Sequence, residues 1–207
     1  MFSKFLNLKP EKQERILQAV IKEFADKGFD KASTNDIVKE AGISKGILFH
    51  YFQNKKTLFL FVFDYCVKIC MDEFNEKVDE KENDIFGKLR QISSFKLELL
   101  YKYPSIFKFL ETAIGEGCSE VKSEIEEKKK VLSDSNYSKV FNNIDKTKFR
   151  DGVDVSRVIN IIMWTLDGFG TSELQKAKAS AAKQMDYEKV FQEMDSYIDI
   201  FKDSFYK

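Results

Sequence analysis

The sequence predicts an all-α protein, and three observations carry that prediction. Apolar residues recur every three or four positions instead of alternating, so they line up on helical faces. Only two prolines interrupt 207 residues, while twenty phenylalanines supply a large apolar interior. No short run of alternating character reads as a convincing strand. A chain of this length can build one or two domains with a real core, and 43% apolar with 33% charged residues is ordinary globular content.

Taken in order, the first helix opens at Pro10, a favoured first-turn residue, and ends before Gly28; Ile16, Leu17, Val20, Ile21 and Phe24 form its apolar stripe. Ser33 is placed to cap the next, with Asp36 three positions on to complete a capping box, so a short helix runs from about Thr34 to Glu40. Ala41, Gly42 and Ile43 then provide a small residue, one that tolerates positive φ, and an apolar plug, which turns the chain sharply. Ser44 caps a second short helix. Its Lys45, Gly46, Ile47, His50 and Tyr51 present a basic, slim, hydrogen-bonding face while Leu48 and Phe52 turn inward.

Two short helices joined by a three-residue turn are the pattern of a helix-turn-helix, and a slim first turn is what a helix entering the major groove needs. Asn54 caps the helix that follows, with Lys55 and Lys56 in its first turn, where cations oppose the helix dipole. A nearby phosphate explains Lys55, since ammonium and free backbone N–H groups would bind it together; Lys56 reads as an ordinary surface lysine. Residues 1–60 hold 11 Lys/Arg against 7 Asp/Glu, net +4, leaving 23 against 27 for the rest, so positive charge is concentrated at the reader although the whole chain is neutral.

The stretch from Gly28-Phe29 to Leu58-Phe59, with AGISKG, HYF and NKKTLF in matching order and spacing, resembles the DNA-binding region of the TetR family of bacterial transcriptional regulators. The resemblance covers about the first third of the chain; beyond it, only length, helical texture and the late DGFG segment are similar. It implies that Ser33, Thr34 and Asn35 start the first reading helix near backbone phosphates. On the same grounds Lys45, Gly46, Ile47, His50 and Tyr51 lie on the recognition helix, and Lys55 on a flanking phosphate. Ser44 completes the expected DNA-facing set. Where the family usually has a tyrosine this chain has Phe49, so a phenol that would touch DNA is missing and His50 and Tyr51 carry more of the polar work.

The helix from Asn54 to about Lys77 is apolar on all sides between Leu58 and Phe63, which demands burial all round and marks it as the link to the body. The expected organisation is a DNA-binding head over residues 1–53 and an effector and dimerisation domain over 54–207. In the body, helices are expected over Phe86–Tyr101, Pro104 to about Ile114, and Ser119 to about Leu132, followed by loops and a helical piece near Val140. Asp154 to about Ala179 carries apolar residues on two sides. The last helix spaces Tyr187, Phe191, Met194, Ile198, Phe201 and Phe205 at intervals of 4, 3, 4, 3 and 4, a seam for in-line packing. Val158, Ile162, Phe169, Phe191, Met194, Ile198 and Phe201 are therefore the expected homodimer interface, which two-fold operators also call for. Phe95, Leu99, Tyr103, Phe107, Leu110, Phe141 and Trp164 are the expected lining of a pocket for an apolar or aromatic effector.

Other chemistry is poorly provided for. The single histidine, His50, lies in the presumed recognition helix, which leaves no Ser-His-Asp or Cys-His site elsewhere, so no enzyme is expected. Cys66 and Cys70 share a helix face, but with Cys118 distant and no second histidine they read as buried, inert thiols; no metal and no cofactor is expected. Glu111, Glu116 and Asp167 read as surface or capping residues, and Gly115-Glu116-Gly117 lacks the third glycine of a dinucleotide site. The longest clean apolar run, Leu58–Phe63, is far short of the roughly 20 residues a membrane span requires, and the N-terminus has no sustained apolar core of a signal peptide. Three cysteines without such a signal suggest reduced thiols in a cytoplasm. The expected function is a ligand-responsive transcriptional regulator, a repressor released from a palindromic double-stranded DNA operator by a small molecule. The alternative is a DNA-binding adaptor whose body holds a protein partner.

Overall fold

The computed structural model describes residues 2–79, 81–115, 120–141, 143–179 and 186–207, with the side chains of 132–140, 174, 177 and 178 also outside the description. Ten α-helices are found among the described residues: α1 (Ser3–Leu6), α2 (Pro10–Lys31), α3 (Thr34–Ala41), α4 (Lys45–Phe52), α5 (Lys55–Lys77), α6 (Ile85–Lys102), α7 (Pro104–Ile114), α8 (Lys122–Phe141), α9 (Val155–Ala179) and α10 (Tyr187–Phe205). The only extended pairing among them is a single antiparallel bridge between Phe149 and Tyr206. The fold is all-α, as the periodicity predicts. None of the described helices is long and apolar enough to cross a membrane.

The chain divides into two compact units, residues 1–76 with 99–136 and residues 77–98 with 137–207. This partition by packing runs differently from a boundary at residue 54, because α5 shares one core with the helices before it. In the first unit Phe24 meets Phe59 edge to face at 4.9 Å, and Phe59 in turn meets Phe29 at 5.3 Å and Phe109 at 5.4 Å. Such pairs add about 0.5–1.5 kcal/mol each beyond area burial. The all-round apolar stretch of α5 behaves as its composition demands: Leu58, Phe59, Val62 and Phe63 are buried, Leu60 and Phe61 half-buried against the same core. Helix α2 is zipped to α7 by Thr112 Oγ1 donating to the Ala25 carbonyl at 3.2 Å and by a Lys108–Asp26 ion pair at 2.6 Å.

The second unit has its own core of Ile85, Phe86, Ile159, Ile162, Phe149 and Ile198. Asp84 organises one end of it. Its Oδ1 accepts from the Phe86 and Gly87 N–H groups at 2.8 and 3.0 Å and from the Tyr206 hydroxyl at 3.4 Å, and its Oδ2 pairs with Lys148 at 3.0 Å. Burial alone would raise this carboxyl, but the two N–H donors and the Lys148 ammonium outweigh it and hold Asp84 below the usual carboxylate value. The chain end is fastened beside it: Arg150 donates through Nε to the Tyr206 carbonyl at 2.8 Å and through Nη2 to the Asp203 carbonyl at 2.7 Å.

Three expectations about elements need correction. A short helix, α1, precedes Pro10. The segment expected to end near Leu132 and resume near Val140 is one helix, α8, running from Lys122 to Phe141. The seam of α10 is the inner face of its own unit: Ile198 is fully buried, and Phe201 and Phe205 pack on the same core. Glu116 and Cys118 lie outside the described residues.

Candidate nucleic-acid interface

The helix-turn-helix is assembled by its caps. Ser33 Oγ accepts the Asp36 N–H at 3.3 Å and Ser44 Oγ accepts the Ile47 N–H at 3.3 Å, so α3 and α4 begin where their serines stand. Between them Gly42 takes φ +62°, a left-handed conformation that ends α3 without the strain a Cβ would bring. Asn54 Oδ1 accepts the Thr57 N–H at 2.8 Å and starts α5.

The capping box closes differently from its sequence pattern. The Ser33 N–H donates at 2.7 Å to Glu23 Oε1 of α2, and Asp36, free of that duty, pairs with Lys27 at 3.0 Å. Lys27 also pairs with Glu23 at 2.9 Å, so three charged side chains fix the start of α3 on α2. Glu23 and Lys27 escape sequence reasoning because the partners are ten and nine residues apart. So does α1, whose Phe5 is buried against Phe52 at 4.9 Å and Tyr51 at 6.0 Å behind α4. The Gln13 amide holds that segment down by donating to the Leu6 and Leu8 carbonyls at 2.9 and 2.8 Å. The aromatic pair Phe2 and Phe5 ahead of Pro10 was the available signal.

On the outer face of α4, Lys45, Gly46, Ile47 and His50 are exposed, while Leu48 and Phe52 are buried. At the start of α3, Asn35 is exposed and Thr34 half-buried. Tyr51 is half-buried against Phe5, so its ring supports the helix as well as reaching outward. Phe49 is exposed. Helix α4 ends at Gln53, which has φ +64° and ψ −56°, with the Asn54 N–H donating back to the Phe52 carbonyl at 2.7 Å. That is a tight three-residue turn, strained for a residue with a side chain. Lys55 donates to the Asp30 carbonyl at 3.1 Å and lies 4.9 Å over the Phe29 ring, with protons left for a further acceptor. Lys56 is paired with Glu124 at 2.5 Å.

The residues expected elsewhere are distributed differently. Val158, Ile162 and Ile198, expected at a dimer interface, are buried in the second unit's own core, and Phe201 packs against it. Phe169, Phe191 and Met194 are half-buried, Phe169 against Tyr197 at 5.3 Å. The seven residues expected to line a pocket fall in both units. Leu99, Tyr103, Phe107 and Leu110 belong to the first unit, Phe95 and Phe141 to the second, and Trp164 is 72% exposed. The side chain of Trp164 therefore faces away from any interior of its unit. Cys66 and Cys70 carry thiols that burial pushes up, Cys70 to about 11, so both stay protonated and unreactive at neutral pH.

The capped pair α3–α4, with an exposed basic and slim face, defines a helix-turn-helix DNA-binding head. Residues 16–62 match the model of the bacterial regulatory proteins of the tetR family, so this head is similar to the DNA-binding part of those regulators. It is 26% identical over 98 residues, 47% of this chain and 45% of the relative, to the biofilm operon icaADBC negative transcriptional regulator IcaR of Staphylococcus aureus. The matched part spans less than half the length of the curated relatives. A TetR family regulator from Chloroflexus aurantiacus is 18% identical with a TM-score of 0.63, covering 99% of this chain and 98% of that one. FadR from Bacillus subtilis, solved in complex with stearoyl-CoA, is 17% identical with a TM-score of 0.59, covering 89% of this chain and 96% of that one. At these identities the likeness shows that the whole chain has the fold of such regulators.

Proposed function

We propose that this chain is a homodimeric transcriptional regulator, acting as a repressor, that reads a palindromic operator with α3 and α4 and leaves it when a small molecule binds its helical body. The observation that carries the reading is the outer face of α4, where Lys45, Gly46, Ile47 and His50 are exposed with no bulky aromatic side chain in the first turn. Ser33, Thr34, Asn35 and Ser44 sit at the two helix starts, where backbone N–H groups favour phosphates, and Lys55 flanks them. Repression is supported by the negative regulator among the relatives, and effector control by the acyl-CoA held in FadR. The effector of this chain is taken to be small and apolar or aromatic.

The dimer surface we favour is the outward stripe of α9. Ile161, Trp164 and Gly168 recur at helical spacing on a different side of the helix from Val158 and Ile162; Ile161 is 42% and Trp164 72% exposed, and a Cβ on Gly168 would meet open space. Two copies joined through it would present paired α4 helices, which adjacent major grooves require about 34–36 Å apart. An effector that favours another separation releases DNA, and by linkage it must bind the DNA-free form more tightly. Selection from a random duplex library at fixed salt tests the reading: an inverted repeat should be enriched and be bound about 10³-fold or more over bulk DNA. Enrichment of no sequence would sink it.

A further inference from the structure

Helices α2 and α7 are zipped together at Ala25, Asp26, Lys108 and Thr112, but toward the start of each the packing opens into a groove of about 460 Å³ bordered also by α5. That is the size of a small-molecule site. Leu17 and Ile21 of α2, Ile69 of α5 and Ile106 of α7 give it an apolar lining. Along the rim, α2 presents Glu14, Gln18 and Lys22 on successive turns, about 12 Å from first to last at 1.5 Å per residue.

The charges of the groove are compensated except at one end. Lys22 is paired with Glu40 at 2.6 Å, and Lys102 with Glu73 at 2.5 Å, where the Tyr103 hydroxyl also donates at 2.9 Å. Glu14 has no cation among the described residues; its partner is the Gln18 amide at 3.1 Å. The Tyr65 hydroxyl, close enough to Glu14 to feel its charge, makes no hydrogen bond to a described residue. One end thus offers an uncompensated carboxylate, a hydroxyl acceptor and an aromatic face, and the remainder is apolar.

We infer that this groove is a binding site for an amphiphilic amine. The protonated amine sits between Glu14 and Tyr65, held by charge, a hydrogen bond and the ring face, and the apolar body lies along Leu17, Ile21 and Ile69. A carboxylate of the same shape would meet Glu14 with like charge. The site does not depend on the operator-reading proposal, and its test needs no DNA.

The probe is n-octylammonium, titrated into the full chain with isoleucine methyl groups labelled for NMR, beside n-octanoate and n-octanol. Octylammonium should shift the Ile21, Ile69 and Ile106 methyls saturably, and octanoate should leave them in place over the same concentrations. Glu14→Gln should weaken octylammonium about threefold, the scale of an exposed charge pair, and leave octanol binding unchanged. Ser105→Trp, an exposed position on the groove wall, should block both without disturbing the core, with unchanged shifts at Ile16 and Ile37, buried in the first unit's core, reporting the intact fold. Equal shifts from octanoate, shifts confined to Ile85, Ile162 and Ile198, or a Glu14→Gln variant that binds octylammonium as well as the parent would each overturn the proposal.

Discussion

At Gly46 the missing side chain matters for what lies outside the protein. A Cβ there would come no closer than 4.0 Å to the nearest atom, Ser44 Oγ, so the fold has room for one. Gly46→Ala should therefore raise stability by about 0.5–1 kcal/mol, the helix preference of alanine, while operator binding falls by about 10-fold or more because the helix is held off the base edges. A thermal melt and an operator titration measure the two effects; loss of both stability and binding would mean the glycine serves the fold instead. Lys55 differs, since its ammonium is shared between the Asp30 carbonyl and the Phe29 ring. Lys55→Ala should weaken binding to all duplexes alike and lower the salt slope by about one for each phosphate it no longer neutralises. An unaltered slope would leave the lysine only its partners within the chain. Ser33, Gly42 and Ser44 could be read from sequence because a cap or a turn is a local event. Glu23 could not, because the N–H it satisfies belongs to a residue brought near by folding.

Among the elements, α1 is the smallest and one of the most firmly packed. Phe5 is buried and lies within 6.0 Å of the rings of Tyr51, Phe52 and Phe61, so a four-residue helix is kept by tertiary contacts that its own hydrogen bonds could not replace. Phe5→Ala should cost about 3–5 kcal/mol in chemical denaturation, the usual range for emptying such a site. A loss below about 1 kcal/mol would mean that α1 is loosely held. In the second unit the start of α6 depends on Asp84, whose neighbours are Lys148, the Phe86 and Gly87 N–H groups and the Tyr206 hydroxyl, with Asp145 and Glu82 close by. Its value is depressed on folding, so its contribution is present above the unfolded carboxyl value of about 3.9 and is lost as pH falls through the folded one. Asp84→Asn should be less stable than the parent at pH 7, and the gap should close as pH falls below about 4. A gap that stays constant down to about pH 2 would contradict that role.

For the whole molecule, the question is which apolar residues serve a partner. Ile198 is fully buried in its own unit whereas Trp164 is exposed on α9, although the sequence makes both look alike. Trp164→Glu should give a monomer with unchanged helical circular dichroism, and Ile198→Glu should unfold the second unit, since it places a charge in a dry core. Sedimentation that finds Trp164→Glu still dimeric would move the interface to another face. The single tryptophan offers a second reading: its emission should shift to the blue as the native protein is concentrated through its dimerisation range, because association removes the ring from water.

The all-α class and the positions of α2, α3, α4 and α7 were legible in the sequence, because helical period, caps and a glycine turn act within a few residues of one another. Burial between distant segments was not. The seam of α10 has the same spacing whether it packs on α9 of its own chain or on a partner, and only the fold shows Ile198 turned inward. The seven residues expected to line a pocket share size and apolarity, properties that a core and a cavity demand equally. Only tertiary structure separates them into two units and sets Trp164 in water, because whether an apolar side chain is covered depends on what the rest of the chain brings against it.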